Sequence, residues 1–148
     1  MKKMKTFSIG EVAAHFGLPI STLHYYDRQG LLPFVSKNTS GQREFTAADL
    51  NLIQTICCLK GTEMPIKEIR QYIDYVMAGP ATIAERQQLL RHHKERVLAK
   101  QQQIEHDLVE IDKKIAKYDS PAAPQMITRE LQFAAHEKEQ HHLANPYH

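Results

Sequence analysis

From Ala81 to Ser120 the chain contains neither glycine nor proline, whereas all six glycines, at positions 10, 17, 30, 41, 61 and 79, lie before residue 80. Those two residues are what usually interrupt a helix, so this stretch is free to run as one. Thr82 and Glu85 have the spacing of a capping box, and Ser120-Pro121 supplies a stop. A helix of about 37 residues would be roughly 55 Å long at about 1.5 Å per residue, more than a small domain can cover. Its apolar residues Ile83, Leu90, Val97, Ile104, Ile111 and Tyr118 keep a strict seven-residue step, and Leu108 and Ile115 fill the alternate position in the C-terminal half. That is a coiled-coil seam. The helix could instead pack back on its own domain, but a narrow seam on a charged helix favours a partner helix. Gln87, Lys94 and Gln101 occupy the alternate position earlier, so the N-terminal half is the weaker zipper and should meet something besides an identical parallel partner.

The residues before this helix read as short elements separated by caps and turns. Ser8-Ile9-Gly10-Glu11 is a capping box for a helix through about Phe16, which Gly17 stops. After Pro19 a second helix runs from Ile20 to about Gln29 and closes at Gly30. Two short helices about a three-residue turn form a helix-turn-helix. Phe34 to Phe45 holds the turn residues Asn38, Thr39, Ser40 and Gly41 between short strands, a β-hairpin or wing. Thr46 and Asp49 cap a helix to about Lys60, and Pro65 opens another to about Met77. The expected fold is mainly α: a winged helix-turn-helix over 1–79, a coiled-coil dimerisation helix over 80–119, and a tail over 120–148. The tail is expected to be partly disordered, with a short helix around Ile127 to Leu131.

Net charge is only +2 over 148 residues, which taken whole argues weakly against a nucleic-acid partner. Its distribution reverses that. Residues 1–45 carry six lysines and arginines against three acids, residues 46–80 three against four, and residues 81–148 ten against ten. The excess is entirely N-terminal. No apolar run of about 18 residues is present to span a bilayer, and Lys2, Lys3 and Lys5 are not followed by a signal-peptide core. Cys57 and Cys58, adjacent and alone, build neither a disulfide framework nor a zinc site. A reducing cytoplasm fits. His136, His141, His142 and His148 have no thiol or carboxylate frame, so no metal and no cofactor is expected.

In a helix-turn-helix the second helix offers its side chains to the major groove while wing and flanking groups grip phosphates. Here Ser21, Thr22, His24, Tyr25 and Arg28 can all donate hydrogen bonds, and Ser21, His24, Tyr25 and Arg28 share one helical face. Leu23 and Tyr26 point inward. Lys37, Gln42 and Arg43 on the hairpin are natural phosphate contacts.

The segment FSIGEVAAHFGLPISTLHYYDRQGLLPFVSKNTSGQREFTAADL resembles the N-terminal winged helix-turn-helix of the MerR family of bacterial transcription regulators, with its IGE, TLRYYD, GLL and GYR strings. The likeness covers roughly the first 77 residues, or about 120 with the long helix. Two positions depart from it: His24 replaces the usual arginine of TLRYYD, and Gln42 the usual tyrosine after the wing glycine. Both soften a phosphate-gripping group. The resemblance implies a homodimer joined by antiparallel long helices, a palindromic operator of double-stranded DNA inside a promoter, and RNA polymerase as the partner that benefits when the spacer is bent and untwisted.

The string ICCLKGTEMPIKEIRQYIDYV is similar to an AdhR- and NmlR-like branch of that family, which includes regulators that respond to aldehydes and other electrophiles through a cysteine at the position of Cys58. On a helical wheel Leu50, Leu52, Ile53, Ile56 and Leu59 form the apolar face, with Cys57 at its edge. Cys58 lies opposite, with Asn51, Gln54 and Thr55. Cys58 is thus either a reactive thiol that senses an electrophile or small molecule, or an inert surface or interface residue. Two other classes compete with a regulator. An enzyme using Cys58 lacks an oriented His/Asp partner, a phosphate loop and paired carboxylates; a coiled-coil adaptor would bind protein and show no DNA affinity.

Overall fold

A computed structural model describes residues 5–148; Lys2 and Lys3, which contribute to the basic excess, lie outside them. The chain forms two compact units that divide between Val97 and Leu98.

In the first unit, helix α1 (Ile9–Phe16) starts on a full capping box. Ser8 Oγ accepts from the Glu11 amide and Glu11 accepts from the Ser8 amide, both at 3.2 Å. Helix α2 (Ile20–Arg28) follows Pro19. Strands β1 (Ser36–Lys37) and β2 (Arg43–Glu44) pair antiparallel, Ser36 opposite Glu44 and Lys37 opposite Arg43. Phe45 then bridges Phe7 through two backbone hydrogen bonds of 2.8 and 2.9 Å. Helix α3 (Ala47–Gly61) begins on the Thr46/Asp49 box, and α4 (Ile66–Met77) follows Pro65.

Leu23 and Tyr26, three residues apart on α2, are buried together with Val12 and Ala13 of α1, Leu31, Leu32, Val35 and Phe45 of the connection and wing, Ile53, Ile56 and Leu59 of α3, and Ile69 and Ile73 of α4. Fully burying one such aliphatic side chain contributes about 1.5–3 kcal/mol, so this shared core sets the angle at which α2 presents its outer face.

Helix α5 (Ile83–Asp119) has the expected length, but its start differs from the sequence expectation. Thr82 does not cap it. A 3-10 turn (Pro80–Thr82) precedes α5, and the Thr82 hydroxyl is directed instead to the Tyr75 and Gly79 carbonyls. The last carbonyls of α4 have no helical partner and draw in the nearest donors. Arg86 completes the joint, with Nη2 donating to Tyr75 O at 3.1 Å and Gly79 O at 2.7 Å, and Nε to Thr82 Oγ1 at 3.1 Å.

The first turns of α5 also pack on their own unit. Leu89 and Leu90 lie against the core, and His93 is buried. Leu90, read from the heptads as a seam residue, is therefore partly committed to its own domain, because a seven-residue step does not tell an intrachain contact from an interchain one.

The second unit contains α5 from Leu98 onward and helix α6 (Ala123–Gln140). An 18-residue helix replaces the short one expected around Ile127 to Leu131. Pro124 sits in its first turn, Thr128 Oγ1 donates to Pro124 O at 2.8 Å, and its Ala, Glu, Gln and Lys residues are good helix formers. Scarcity of apolar residues limits burial, not helix formation. Lys117 pairs with Glu130 across the turn between the helices. On α5, Ile104, Leu108, Ile111, Ile115 and Tyr118 remain 48–58% exposed.

Candidate nucleic-acid interface

With Leu23 and Tyr26 held in the core, Ser21, His24, Tyr25 and Arg28 are left exposed on α2, and Thr22 is half-buried. Tyr25 and Tyr26 separate as their spacing predicts: Tyr26 is 4% exposed and Tyr25 39%. Burial pushes the Tyr26 phenol up from its ordinary value, with Cys57 and Tyr25 adding to the shift.

The wing is built on a turn that organises itself. Asn38 Oδ1 accepts from the Ser40 amide at 2.9 Å and the Gln42 amide at 3.0 Å, and Gly41 takes the left-handed conformation at φ 79°. This leaves Gln42 exposed just past the tip and aligns Lys37 with Arg43 across the strands.

Arg43 is more constrained than a surface phosphate contact. Its Nε and Nη2 donate to the two carboxylate oxygens of Asp27 at 3.1 and 2.9 Å, and its Nη1 donates to Val35 O. The pair is about three-quarters shielded from solvent on both sides. Arg43 thus ties β2 to the last turn of α2 and to the start of the wing, and two of its five N–H groups remain for a phosphate. Asp27 is the residue that reading from the amino acids missed. It stands 16 positions from its partner, so no local pattern reveals the pair; the signal was the final D of the YYD string.

The structure gathers His24, Lys37, Gln42 and Arg43 around one concavity of about 470 Å³, together with Ser8, Ile9, Asp27 and Gly41. Ser21, Thr22, Tyr25 and Arg28 do not line it. The predicted residues therefore form two sets, a cleft where α1, α2 and the wing converge and the exposed face of α2.

Of the cysteines, Cys57 is half-buried against the core and burial pushes its thiol up, which favours the protonated, less nucleophilic form. Cys58 is exposed. The Cys58 carbonyl accepts from Thr62 Oγ1 at 2.9 Å, and that hydroxyl lies 2.7 Å from His93 Nε2. The backbone of α3 at Cys58 is thereby linked to α5.

The family model for the MerR HTH family regulatory protein matches residues 7–76. A crystal structure of a MerR family transcriptional regulator from Bacillus thuringiensis is similar with a TM-score of 0.73 and 43% identity, covering 77% of this chain and all of that one. HiNmlR, a MerR family regulator lacking the sensor domain and solved bound to promoter DNA, is similar with a TM-score of 0.72 and 32% identity, covering 77% of this chain and 90% of that one. The HTH-type transcriptional regulator AdhR of Bacillus subtilis (strain 168) is 32% identical over 91 residues, 62% of this chain and 65% of that protein.

Proposed function

The chain belongs to the MerR family of helix-turn-helix regulatory proteins, and on that premise we propose that it is a homodimeric, sequence-specific regulator that distorts promoter DNA in response to a small-molecule or stress signal. The observation that carries this reading is the convergence of His24, Lys37, Gln42 and Arg43 in one cleft beside the exposed face of α2. A cleft of donors and cations suits a phosphate, and the neighbouring helix face suits base edges. HiNmlR, a similar chain solved bound to promoter DNA, supports DNA as the partner. In this reading the protein works in the cytoplasm, the helix over 80–119 pairs with its copy, the two winged domains take the halves of a palindromic operator, and RNA polymerase reads the altered spacer.

Binding to the DNA upstream of its own gene tests the proposal. Affinity is expected to fall at least about a hundredfold between 50 and 200 mM salt, since counterions are released from each neutralised phosphate. A folded dimer with no affinity for that DNA at low salt would leave the adaptor reading standing instead.

Cys58 is the proposed signal receiver, supported by its exposure and by the resemblance to electrophile-responsive regulators. Promoter output with and without an aldehyde or a thiol oxidant is expected to change in the native protein and to stay flat in Cys58→Ser. An undiminished response in the variant removes Cys58 from the mechanism.

A further inference from the structure

Helix α4 and the first turns of α5 line a second cleft, an open groove of about 340 Å³, within the N-terminal unit. Its walls include Glu68 and Tyr75 from α4, and Glu85, Gln88, Leu89 and Arg96 from α5. That volume is at the small end of ligand sites.

An inventory of its polar groups shows which charges are already compensated. Arg96 donates to both carboxylate oxygens of Glu68, at 3.1 and 2.5 Å. These hydrogen bonds hold the Glu68 carboxyl below its ordinary value. Gln71 donates to the Tyr75 hydroxyl oxygen at 2.9 Å, leaving the Tyr75 O–H free to donate. The Glu85 side chain, exposed in the first turn of α5, makes no hydrogen bond or ion pair with another described residue. Among the described residues that line the cleft, His92 and Glu85 are the titratable side chains without a hydrogen bond or ion pair, and Glu85 is the one carboxylate among them; apolar surface is provided by the Tyr75 ring and Leu89.

We propose that this cleft is an effector site for a small organic cation, a primary amine whose ammonium pairs with Glu85 while its hydrocarbon body lies against Tyr75 and Leu89. An anion would have to take Arg96 from Glu68. A neutral molecule of the same shape would gain no charge pairing with Glu85, which is exposed in the first turn of α5.

The position suits a control site. At about 100° per residue, Glu85, Gln88, Leu89, His92 and Arg96 fall on the side of α5 away from Ile83 and Val97, so pairing through those two leaves the cleft open. It also bridges the two helices whose joint Thr82 and Arg86 fix. A ligand seated there acts on the angle at which the long helix leaves the winged domain. The effector role rests on the proposed regulatory function; the binding site does not.

The test titrates full-length protein, without DNA, with phenethylamine, 2-phenylethanol and 3-phenylpropionate as cationic, neutral and anionic probes of one shape, using calorimetry. Phenethylamine is expected to bind at least tenfold more tightly than the other two. Glu85→Gln should weaken it at least tenfold and Tyr75→Leu severalfold, with circular dichroism verifying the fold. Equal binding of the alcohol, preference for the acid, no amine binding, or an unchanged Glu85→Gln overturns the site. Saturating phenethylamine is then expected to shift promoter-DNA affinity at least threefold, and an unchanged affinity overturns the effector role. A protein that binds the amine but no DNA would instead refute the regulatory reading and leave the site intact.

Discussion

Asp27→Ala is expected to weaken promoter binding about tenfold, close to 1.4 kcal/mol, although it removes a negative charge from the surface proposed to meet DNA. Charge alone predicts the opposite sign, since a carboxylate near phosphates is repulsive. The geometry decides in favour of loss. Asp27 holds Arg43 at two points, and Arg43 holds the Val35 carbonyl with a third. The wing strands are only two residues each, so few backbone hydrogen bonds fix the hairpin relative to α2 once this clasp is open. Lys37 and Gln42 would then have to be ordered at the moment of binding. Asp27→Asn, which keeps one acceptor, should fall between the variant and the native protein. Arg43→Ala should cost at least as much as Asp27→Ala, and the double variant little more than Arg43→Ala alone, because the two changes break one interaction. Fluorescence anisotropy on promoter DNA across the cycle separates the accounts. Tighter binding by Asp27→Ala would mean that the pair does not set the wing.

The clasp also marks where the sequence stopped being informative. Elements governed by near neighbours were legible: the Ser8/Glu11 and Thr46/Asp49 boxes, the left-handed Gly17, and the split between Tyr25 and Tyr26 all follow from residues within a turn of one another. Thr82 and Glu85 show the same spacing without the same result. There the end of α4 offers acceptors to the Thr82 hydroxyl, and a tertiary partner overrides the local motif. Leu90 fails for a related reason, since the heptad step marks an apolar stripe without naming what covers it. The site was half legible. Each donor on α2 and the wing could be named from its type and position, but the grouping of His24 with the wing residues, apart from Ser21 and Arg28, depends on how the hairpin folds over α2. Asp27 was marked only by the final D of the YYD string, and its role shows only once its arginine is in place.

The seam further along α5 should show the larger effect. Ile104→Glu with Ile111→Glu is expected to convert the protein to a monomer at low micromolar concentration and to lower operator affinity by about a hundredfold or more, the usual loss when two linked binding units become one. Ile104, Leu108, Ile111 and Ile115 are 48–53% exposed in the single chain, so roughly half of each side chain remains to be covered by a partner. In a symmetric dimer every substitution occurs twice, and two changes place four carboxylates in an apolar seam, where desolvating an unpaired charge costs several kcal/mol. Sedimentation velocity measures the mass and anisotropy the affinity. The helix should stay folded, since glutamate is a good helix former. Leu90→Ala is the informative contrast. Leu90 packs on the core of its own unit, so this change should lower the melting temperature more than it lowers the dimer fraction. If Leu90→Ala dissociates the dimer while the double glutamate variant stays dimeric with full operator affinity, the interface lies at the start of α5 and not along its C-terminal half.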